Sequence, residues 1–265
     1  MSLQQHFTSD GGREIDWGRT SADYSEHRPN YPETFYRQLA ERGIGLPGQR
    51  ILDLGSGVGF LAQRFAQAGS EVVGIDIATG QLKVARERAA KANLQIEYQV
   101  ASAEETRQQD DSFHVVTASQ CWLYFDKPRA TAEAKRVLRT DGLLVVSHLC
   151  WLANKSPIAS QSEELVLRYN PEWSGAGYTG DIPPELPDYF VGQFQQVDLL
   201  VFDADLPFTR ESWRGRWRAC RGVGATLSPE EIASFDRDHA NLLQSTAGDH
   251  FTIPHRIDCL ILKKM

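Results

Sequence analysis

The fold is decided by one short stretch of the chain, ILDLGSGVGF at residues 51–60. It begins as an apolar strand, and three alternate glycines then let the backbone turn sharply and approach a ligand before a helix starts. The glycine fingerprint of dinucleotide-binding turns requires a third glycine at its sixth position, where this chain has Phe60. Asp53 just before the glycines would repel a pyrophosphate and suits a ligand with a positive charge. A tight turn in another kind of α/β protein is the alternative interpretation.

Strand-like and helix-like patterns alternate on both sides of this stretch. We predict strands over 51–54, 71–76, 96–101, 113–118 and 143–147, with helices over 60–68, 80–92 and 129–138. The alternation predicts an α/β fold with a doubly wound, mostly parallel sheet. Later strands at 194–202 and 256–262 bring the sheet to seven strands. We expect the last strand to insert antiparallel beside the sixth.

The order of these elements predicts one domain over residues 1–265. Residues 1–45 form an N-terminal lid segment, extended at first and helical over 33–43, and residues 46–150 form the cofactor-binding core. The excursions at 151–190 and 203–255 contain partly helical segments and a loop rich in proline and glycine. We interpret them as helical insertions that cap a substrate.

Composition excludes several classes of protein. The chain has 265 residues and a net charge of -7, which disfavours nucleic acid and anionic membrane surfaces as partners. We expect no secretory signal, because no apolar segment follows a basic start, and no apolar run reaches the length needed to cross a bilayer. The four cysteines form no CxxC pair, which indicates free thiols in the cytoplasm. The histidines at 239, 250 and 255 have no metal-ligand spacing, so we predict no metal site, and the oligomeric state stays open.

A second motif, VVGID at residues 72–76, follows the glycine turn. Its acid, Asp76, closes the second strand about 20 residues beyond the turn, where α/β folds of this type place a ribose. A carboxylate can accept hydrogen bonds from both ribose hydroxyls. Asp76 could instead serve only as the first residue of the following helix.

Together these motifs resemble those of the class I S-adenosylmethionine-dependent methyltransferases over about residues 20–148. ILDLGSGVGFLA is similar to the first motif of the family, and VVGIDIA is similar to the motif that follows it. Residues 101–104, 113–124, 136–138 and 141–144 resemble its later segments. The N-terminal pattern Y-x3-RP-x-YP at 24–32 resembles a small-molecule branch that includes trans-aconitate methyltransferase-like proteins.

The resemblance implies that S-adenosyl-L-methionine is the cofactor. Asp53 would lie near its ammonium group, and Asp76 would bind its ribose hydroxyls. Arg28 would pair with its carboxylate, and Tyr24 would close the pocket and is also a catalytic candidate. The complete set implied for the cofactor is Tyr24, Arg28, Asp53, Gly55, Ser56, Gly57, Asp76, Ile77, Gln81, Ala103, Glu104, Ser119 and Gln120. His114 departs from the acid that many relatives carry, and we interpret it as structural.

Candidate substrate and catalytic residues follow the fourth and fifth strands. Trp122 and Tyr124 lie at the carboxyl edge of the sheet, where they would either line the substrate pocket or merely pack the loop. His148 ends the fifth strand and could accept a proton from a hydroxyl or an amine, although a buried histidine satisfied by the backbone is the commoner outcome. Cys121 is not needed as a nucleophile, because methyl transfer from a sulfonium is a direct substitution.

Five arginines crowd residues 210–221. Arg214, Arg218 and Arg221 share one face of a predicted helix. Arg214 and Arg218 are our candidates to bind a substrate carboxylate or phosphate, because a guanidinium offers a planar fork of donors. A solvent-exposed face of an amphipathic helix is the alternative.

The sequence therefore predicts methyl transfer to an oxygen, nitrogen or carbon of a small molecule by direct in-line substitution. The predicted partner is a small-molecule substrate, for which a carboxylate is one option. RNA or protein methylation is a second hypothesis, and a non-catalytic protein that binds S-adenosylmethionine is a third. The acidic balance of the chain disfavours RNA.

Overall fold

The computed structural model describes residues 9–10, 12–183 and 185–265. The first eight residues and residue 11, which belong to the predicted lid segment, lie outside the described residues. So does Pro184 in the first predicted cap insertion.

A seven-stranded sheet forms the centre of the fold. A two-stranded antiparallel pair of β1 (Ser9–Asp10) and β2 (Arg13–Glu14) precedes it. The seven strands are β3 (Arg50–Leu54), β4 (Glu71–Asp76), β5 (Ile96–Val100), β6 (Phe113–Ser119), β7 (Leu138–Trp151), β8 (Phe194–Thr209) and β9 (His250–Lys264). Their spatial order is β5-β4-β3-β6-β7-β9-β8. The prediction of a mostly parallel, doubly wound sheet with an antiparallel last strand is confirmed.

Helices connect most of these strands. Within the described residues they are α1 (Ser21–His27), α2 (Glu33–Glu41), α3 (Phe60–Gln67), α4 (Thr79–Lys91), α5 (Lys127–Val137), α6 (Pro157–Tyr169), α7 (Arg210–Arg218) and α8 (Pro229–Thr246). Helix α5 begins at a side-chain cap, because Asp126 accepts a hydrogen bond from the amide of Arg129. Helix α8 begins with a capping box between Ser228 and Glu231.

The structure differs from the sequence prediction in two elements. Residues 140–142, which lie between the predicted helix at 129–138 and the predicted strand at 143–147, are inside β7, where Asp141 takes a positive φ of 64° and the register with β6 shifts. A strand can absorb such an irregularity without ending. Helix α1 falls in a segment predicted as extended. It packs closely against α7, since a Cβ on Gly215 would lie 2.0 Å from the ring of His27.

The register of the sheet creates a crevice at its carboxyl edge. Strand β3 pairs in parallel with β4 on one side and with β6 on the other, so the two connections leave it in opposite directions. Open α/β sheets bind ligands at such a switch point. Leu54 pairs with both Ile75 and Ala118, and Ser119 pairs with Ser147. The glycine turn therefore stands beside the ends of two neighbouring strands.

The chain divides into two compact units. The first, called here the sheet unit, contains residues 30–149, 182–201 and 257–265. Its apolar core includes Phe113, Trp122, Phe190 and Leu262, each at most 4% exposed. The second, called here the helical unit, contains residues 1–29, 150–181 and 202–256. The single domain, its lid, its core and its caps remain a prediction. No helix among the described residues combines the length and apolarity needed to span a membrane.

Candidate active site

The glycine turn after β3 leaves one side of the backbone open. Gly55, Gly57 and Gly59 have φ values of 60°, 56° and 81°, a conformation that side chains with a Cβ rarely adopt. A Cβ on Gly55 would lie 2.8 Å from the Cβ and Sγ of Cys121. A Cβ on Gly57 would meet only the Oε1 of Gln81, at 3.8 Å. The backbone at Gly55 is thus packed against Cys121, whereas the backbone at Gly57 is open to a ligand.

The carboxylate of Asp76 is held in place by two backbone amides. Its Oδ2 accepts a hydrogen bond from the amide of Gly57 at 2.9 Å, and its Oδ1 accepts one from Ala78 at 2.8 Å. Burial nevertheless raises the pKa of Asp76, although these bonds oppose the shift. Each carboxylate oxygen can accept a further hydrogen bond, so the group can receive two hydroxyls without losing its anchors.

A second acid, Asp53, lies beneath the turn and is 2% exposed. The hydroxyl of Thr117 donates to its Oδ1 at 2.7 Å. Burial raises the pKa of Asp53 to about 6, opposed by the hydrogen bond from Thr117, and the charge of Asp76 adds to the shift. Two buried carboxylates with raised pKa values at a switch point are typical of a functional site, and a cationic ligand would relieve both.

The residues expected near an adenine ring surround the ends of β4 and β5. Ile77 is 64% exposed directly after Asp76, an unusual setting for a large apolar side chain. Ala103 is 5% exposed, and Gln81 is also buried. The Oε1 of Glu104 accepts a hydrogen bond from the amide of Asp126 at 2.9 Å, which fixes the loop after β6. The roles of these residues at the cofactor remain predictions.

The loop after β6 begins with a strained residue. Gln120 has a φ of 66°, and its backbone amide and side-chain amide donate to the carbonyls of Ser147 and Leu149, each at 2.9 Å. Strain of this kind is concentrated at functional sites. The hydroxyl of Tyr31 lies 2.9 Å from the Oγ of Ser119 and donates to the Oγ of Ser147 at 3.1 Å. Three hydroxyls therefore meet at the end of β6, beside Ser147 within β7.

His148 has a carboxylate partner. Its Nδ1 lies 2.9 Å from the Oδ1 of Asp258 on β9, with 27% of the His148 side chain and 11% of the Asp258 side chain exposed. Because a carboxylate accepts the Nδ1 proton, Nε2 is left as the proton acceptor. Alternation along β7 puts His148 on the opposite face of the strand from Ser147.

The other candidates for substrate contact or for thiol chemistry occupy packed positions. Trp122 is 4% exposed, and its ring stacks on Phe190 with centroids 5.4 Å apart, which favours the loop-packing interpretation. The amide of Tyr124 donates to the carbonyl of Cys121. Burial raises the pKa of the Cys121 thiol well above its usual value, so it stays protonated.

The predicted arginine and tyrosine contacts belong to the helical unit. Arg214 and Arg218 form ion pairs with Asp236 and Glu211, and Arg218 also pairs with Asp23. Both guanidinium groups are thus paired with acids of the protein, and the role of the two arginines toward substrate stays a prediction. The guanidinium of Arg28 lies 4.8 Å from the ring centre of Tyr24. Their roles at the cofactor and in catalysis likewise stay predictions.

Sequence reasoning missed Tyr31, Thr117 and Asp258. For Asp258 a signal was present, because it interrupts the apolar run IDCLIL at residues 257–262, where an acid needs a partner. Thr117 and Tyr31 act through contacts between distant residues that no spacing reveals. His114 accepts a hydrogen bond from the amide of Arg50, at the amino-terminal end of β3, away from the crevice. Among the described residues, no group of three histidine, cysteine or acidic side chains is placed to hold a metal.

Comparison with known proteins connects this geometry to a family. The family described as Methyltransferase domain matches residues 52–146. A ubiquinone biosynthesis O-methyltransferase from Azorhizobium caulinodans is 32% identical over 177 residues, which cover 65% of this chain and 67% of that protein. A protein of the same name from Xanthomonas campestris is 35% identical over 118 residues, covering 44% and 48% respectively. This chain thus spans about half the length of the Xanthomonas campestris relative.

Solved structures show the same fold at low identity. The YcgJ protein from Bacillus subtilis has a TM-score of 0.53 and 20% identity, covering 86% of this chain and 98% of that one. The [4+2]-cyclase SpnF has a TM-score of 0.53 and 18% identity, covering 90% and 84%. Because the name of one of these describes a cyclase, the fold alone does not establish the reaction.

Proposed function

This chain belongs to the class I S-adenosylmethionine-dependent methyltransferases, and on that premise we propose that it methylates an oxygen of a small molecule. The observation that carries the proposal is the pairing of the open glycine turn at Gly57 with the anchored carboxylate of Asp76. Oxygen is favoured over nitrogen and carbon because His148 and Asp258 offer a proton acceptor, and because relatives carry the name O-methyltransferase.

The residues of the crevice fit S-adenosylmethionine. Gly57 offers bare backbone, Asp76 offers two carboxylate oxygens for a ribose, and Ile77 offers an exposed apolar surface for a base. Asp53 offers a buried carboxylate whose pKa is raised by burial and by the charge of Asp76, so a cationic group of a ligand would favour its ionised form. The cofactor carries a sulfonium and an ammonium group, and when bound it supplies an electrophilic methyl group.

The protein then has three tasks. It must hold the acceptor in line, exclude water, and remove the proton that a hydroxyl loses on methylation. We assign the last task to Nε2 of His148, with Asp258 as the positioning residue that fixes the ring. Tyr31, through Ser119 and Ser147, orders the end of β6 on the opposite face of β7 from His148. Orientation can lower the barrier by roughly 7–11 kcal/mol in favourable cases.

Two finer features of the proposal concern the acceptor and the location of the protein. We propose an acceptor that carries a carboxylate, because the N-terminal segment resembles the branch with trans-aconitate methyltransferase-like proteins. We propose the cytoplasm as its location, since the four cysteines are free thiols in the structure.

A labelling experiment tests the proposal. The protein is incubated with S-adenosylmethionine labelled in its methyl group, together with a metabolite extract, total RNA or total protein in separate reactions. We expect label in low-molecular-weight ethers, and no label with Asp76→Ala. Label in RNA or protein would favour the second hypothesis. Tight binding of the cofactor without any transfer would favour a non-catalytic binding protein.

A further inference from the structure

Arg216 is unlike the other arginines of its segment. Arg210 donates to the carbonyl of Ala247, and Arg221 pairs with Asp10 at 2.9 Å, just as Arg214 and Arg218 have acidic partners. Arg216 is 4% exposed, and its Nε and Nη1 have no hydrogen-bond partner among the described residues. It forms no ion pair with any residue in the described part of the chain.

The surroundings of Arg216 do not balance its charge. Its guanidinium lies 4.7 Å from the ring centre of Trp151, and its helix neighbours Trp213 and Trp217 are fully buried. Burial lowers the pKa of Arg216 to about 10, and the like charge of Arg28 contributes to the shift. The group stays charged at neutral pH. An aromatic face attracts a cation, but it does not satisfy the N–H donors.

A second buried polar atom in the same unit lacks a partner. The Nδ1 of His255 lies 2.9 Å from the carbonyl of Ile253, so it carries the proton and donates it. Its Nε2 is therefore a bare acceptor, and it has no partner among the described residues in a side chain that is 1% exposed. Arg216 and Arg28 both act electrostatically on this ring, and with burial they lower its pKa to about 3.

We infer that the guanidinium of Arg216 binds the carboxylate of an organic ligand within the helical unit. A buried unpaired charge is costly, and folds keep one where a ligand or partner compensates it. Each of the unpartnered N–H groups of Arg216 can donate a charge-assisted hydrogen bond to a carboxylate oxygen. The bare Nε2 of His255, in the same unit, can accept a hydrogen bond from a ligand that also carries an O–H or N–H donor, and Trp151 provides an aromatic face beside Arg216. The inference goes beyond the proposed function, since it assigns a carboxylate-binding side chain to the helical unit itself.

Two molecules carry a carboxylate that Arg216 could bind: the acceptor, and the methionine part of the cofactor. The two are separated by measuring the affinity for S-adenosylhomocysteine and for its decarboxylated analogue. If Arg216 binds the acceptor, Arg216→Met leaves both affinities unchanged. If it binds the cofactor, the variant weakens S-adenosylhomocysteine at least tenfold and leaves the decarboxylated analogue unchanged. The second result by itself supports a carboxylate of the cofactor on Arg216, whereas unchanged affinities assign the carboxylate to the acceptor only together with a response to small carboxylate probes.

The direct test uses small carboxylates as probes. The melting temperature of the full chain is measured with sodium formate or sodium benzoate against sodium chloride at equal ionic strength. We expect both carboxylates to raise it for the wild type and not for Arg216→Met, which should itself melt higher than wild type without ligand. Arg237→Met, which removes an exposed charge, is the matched control and should respond like wild type.

Two results would overturn the inference. One is an absence of stabilisation by either carboxylate in the wild type together with an unchanged affinity of Arg216→Met for S-adenosylhomocysteine. The other is an equal response of wild type and Arg216→Met. If the methionine variant does not fold, Arg216→Lys replaces it. We expect carboxylates to raise the melting temperature of this variant at least tenfold less than that of wild type, because the planar fork of the guanidinium is lost. Failure of methyl transfer would leave this binding measurable, so the two proposals fail separately.

Discussion

Asp258 lies 2.9 Å from His148, with its Oδ1 opposite the Nδ1 of the imidazole. The two residues are on different strands, β9 and β7, and are separated by 110 positions in the chain. The carboxylate determines which ring nitrogen carries the proton, and therefore which nitrogen can accept another. The strand continues to Trp151, so His148 lies within β7 and not at its end as the sequence predicted, and the carboxylate orients it for the role of base that we propose.

The first prediction concerns this pair. His148→Ala should lower kcat by about 100-fold, a common contribution of a general base, with little change in KM for the acceptor. Asp258→Asn should lower kcat by about 10- to 100-fold, because an amide can donate to Nδ1 and favour the wrong tautomer. Steady-state kinetics of methyl transfer measures both effects.

The double variant adds a further check on the pair. Because the two residues act as one unit, the double variant should lose little more activity than His148→Ala alone. His250→Ala, at an exposed histidine, is the control and should leave kcat unchanged. Full activity of His148→Ala with the natural acceptor would remove the proposed base, and the pair would then be structural.

The second prediction concerns the ribose contact. Asp76→Ala should raise the Kd for S-adenosylhomocysteine by at least 100-fold, because it removes two acceptors and also releases the amides of Gly57 and Ala78. Isothermal calorimetry measures the affinity, and circular dichroism checks that the variant is folded. Glu87→Ala, at an exposed acid on α4, should bind like wild type. An unchanged affinity in Asp76→Ala would contradict the ribose assignment.

The third prediction concerns the stability cost of Asp53. Its folded pKa of about 6 exceeds the ordinary value of 3.8, so the contribution of this group to stability is greatest below pH 4 and is lost as the pH rises through 6. A shift of this size corresponds to about 3 kcal/mol. Asp53→Asn should therefore stabilise the ligand-free protein at pH 7.5, and the gain should disappear near pH 4. Denaturant unfolding at both pH values measures it.

The fourth prediction follows from the same carboxylate and concerns binding. A cationic ligand favours ionised Asp53, so its binding should release a proton where the group is protonated. Below pH 6 the affinity for S-adenosylmethionine should fall by up to about tenfold per pH unit, and Asp53→Asn should show no such slope. Calorimetry in buffers of different ionisation enthalpy measures the proton release. A slope that persists in Asp53→Asn would assign it to another group.

The fifth prediction separates two glycines of the turn. Gly55→Ala should destabilise the protein by roughly 2–4 kcal/mol, because its Cβ would overlap Cys121 in addition to the cost of a positive φ. Gly57→Ala should cost only about 1 kcal/mol, since its Cβ has room, yet it should weaken cofactor binding by occupying the open side. Urea unfolding and calorimetry measure the two effects. Equal stability losses would show that the turn is packed alike at both positions.

The sequence by itself determined the sheet and the position of its crevice. Apolar periodicity and the glycines at 55, 57 and 59 are local properties, so the alternation of strands and helices and the acids at the strand ends could be predicted without coordinates. The same local reasoning did not find α1, because a helix of seven residues is marginal alone and depends on its packing against α7.

Only the tertiary structure decided which polar side chains are paired. Spacing alone showed that Arg216 lies three residues after Trp213 and four before Cys220, on the apolar face of its helix, but not whether an acid meets it there. Arg214 and Arg218 both form ion pairs with Asp236 on α8, whereas Arg216 pairs with no acid among the described residues. Likewise, Asp258 acquires its role from a strand more than 100 positions away. Charge pairing depends on distances between residues far apart in the chain, and no local pattern encodes them.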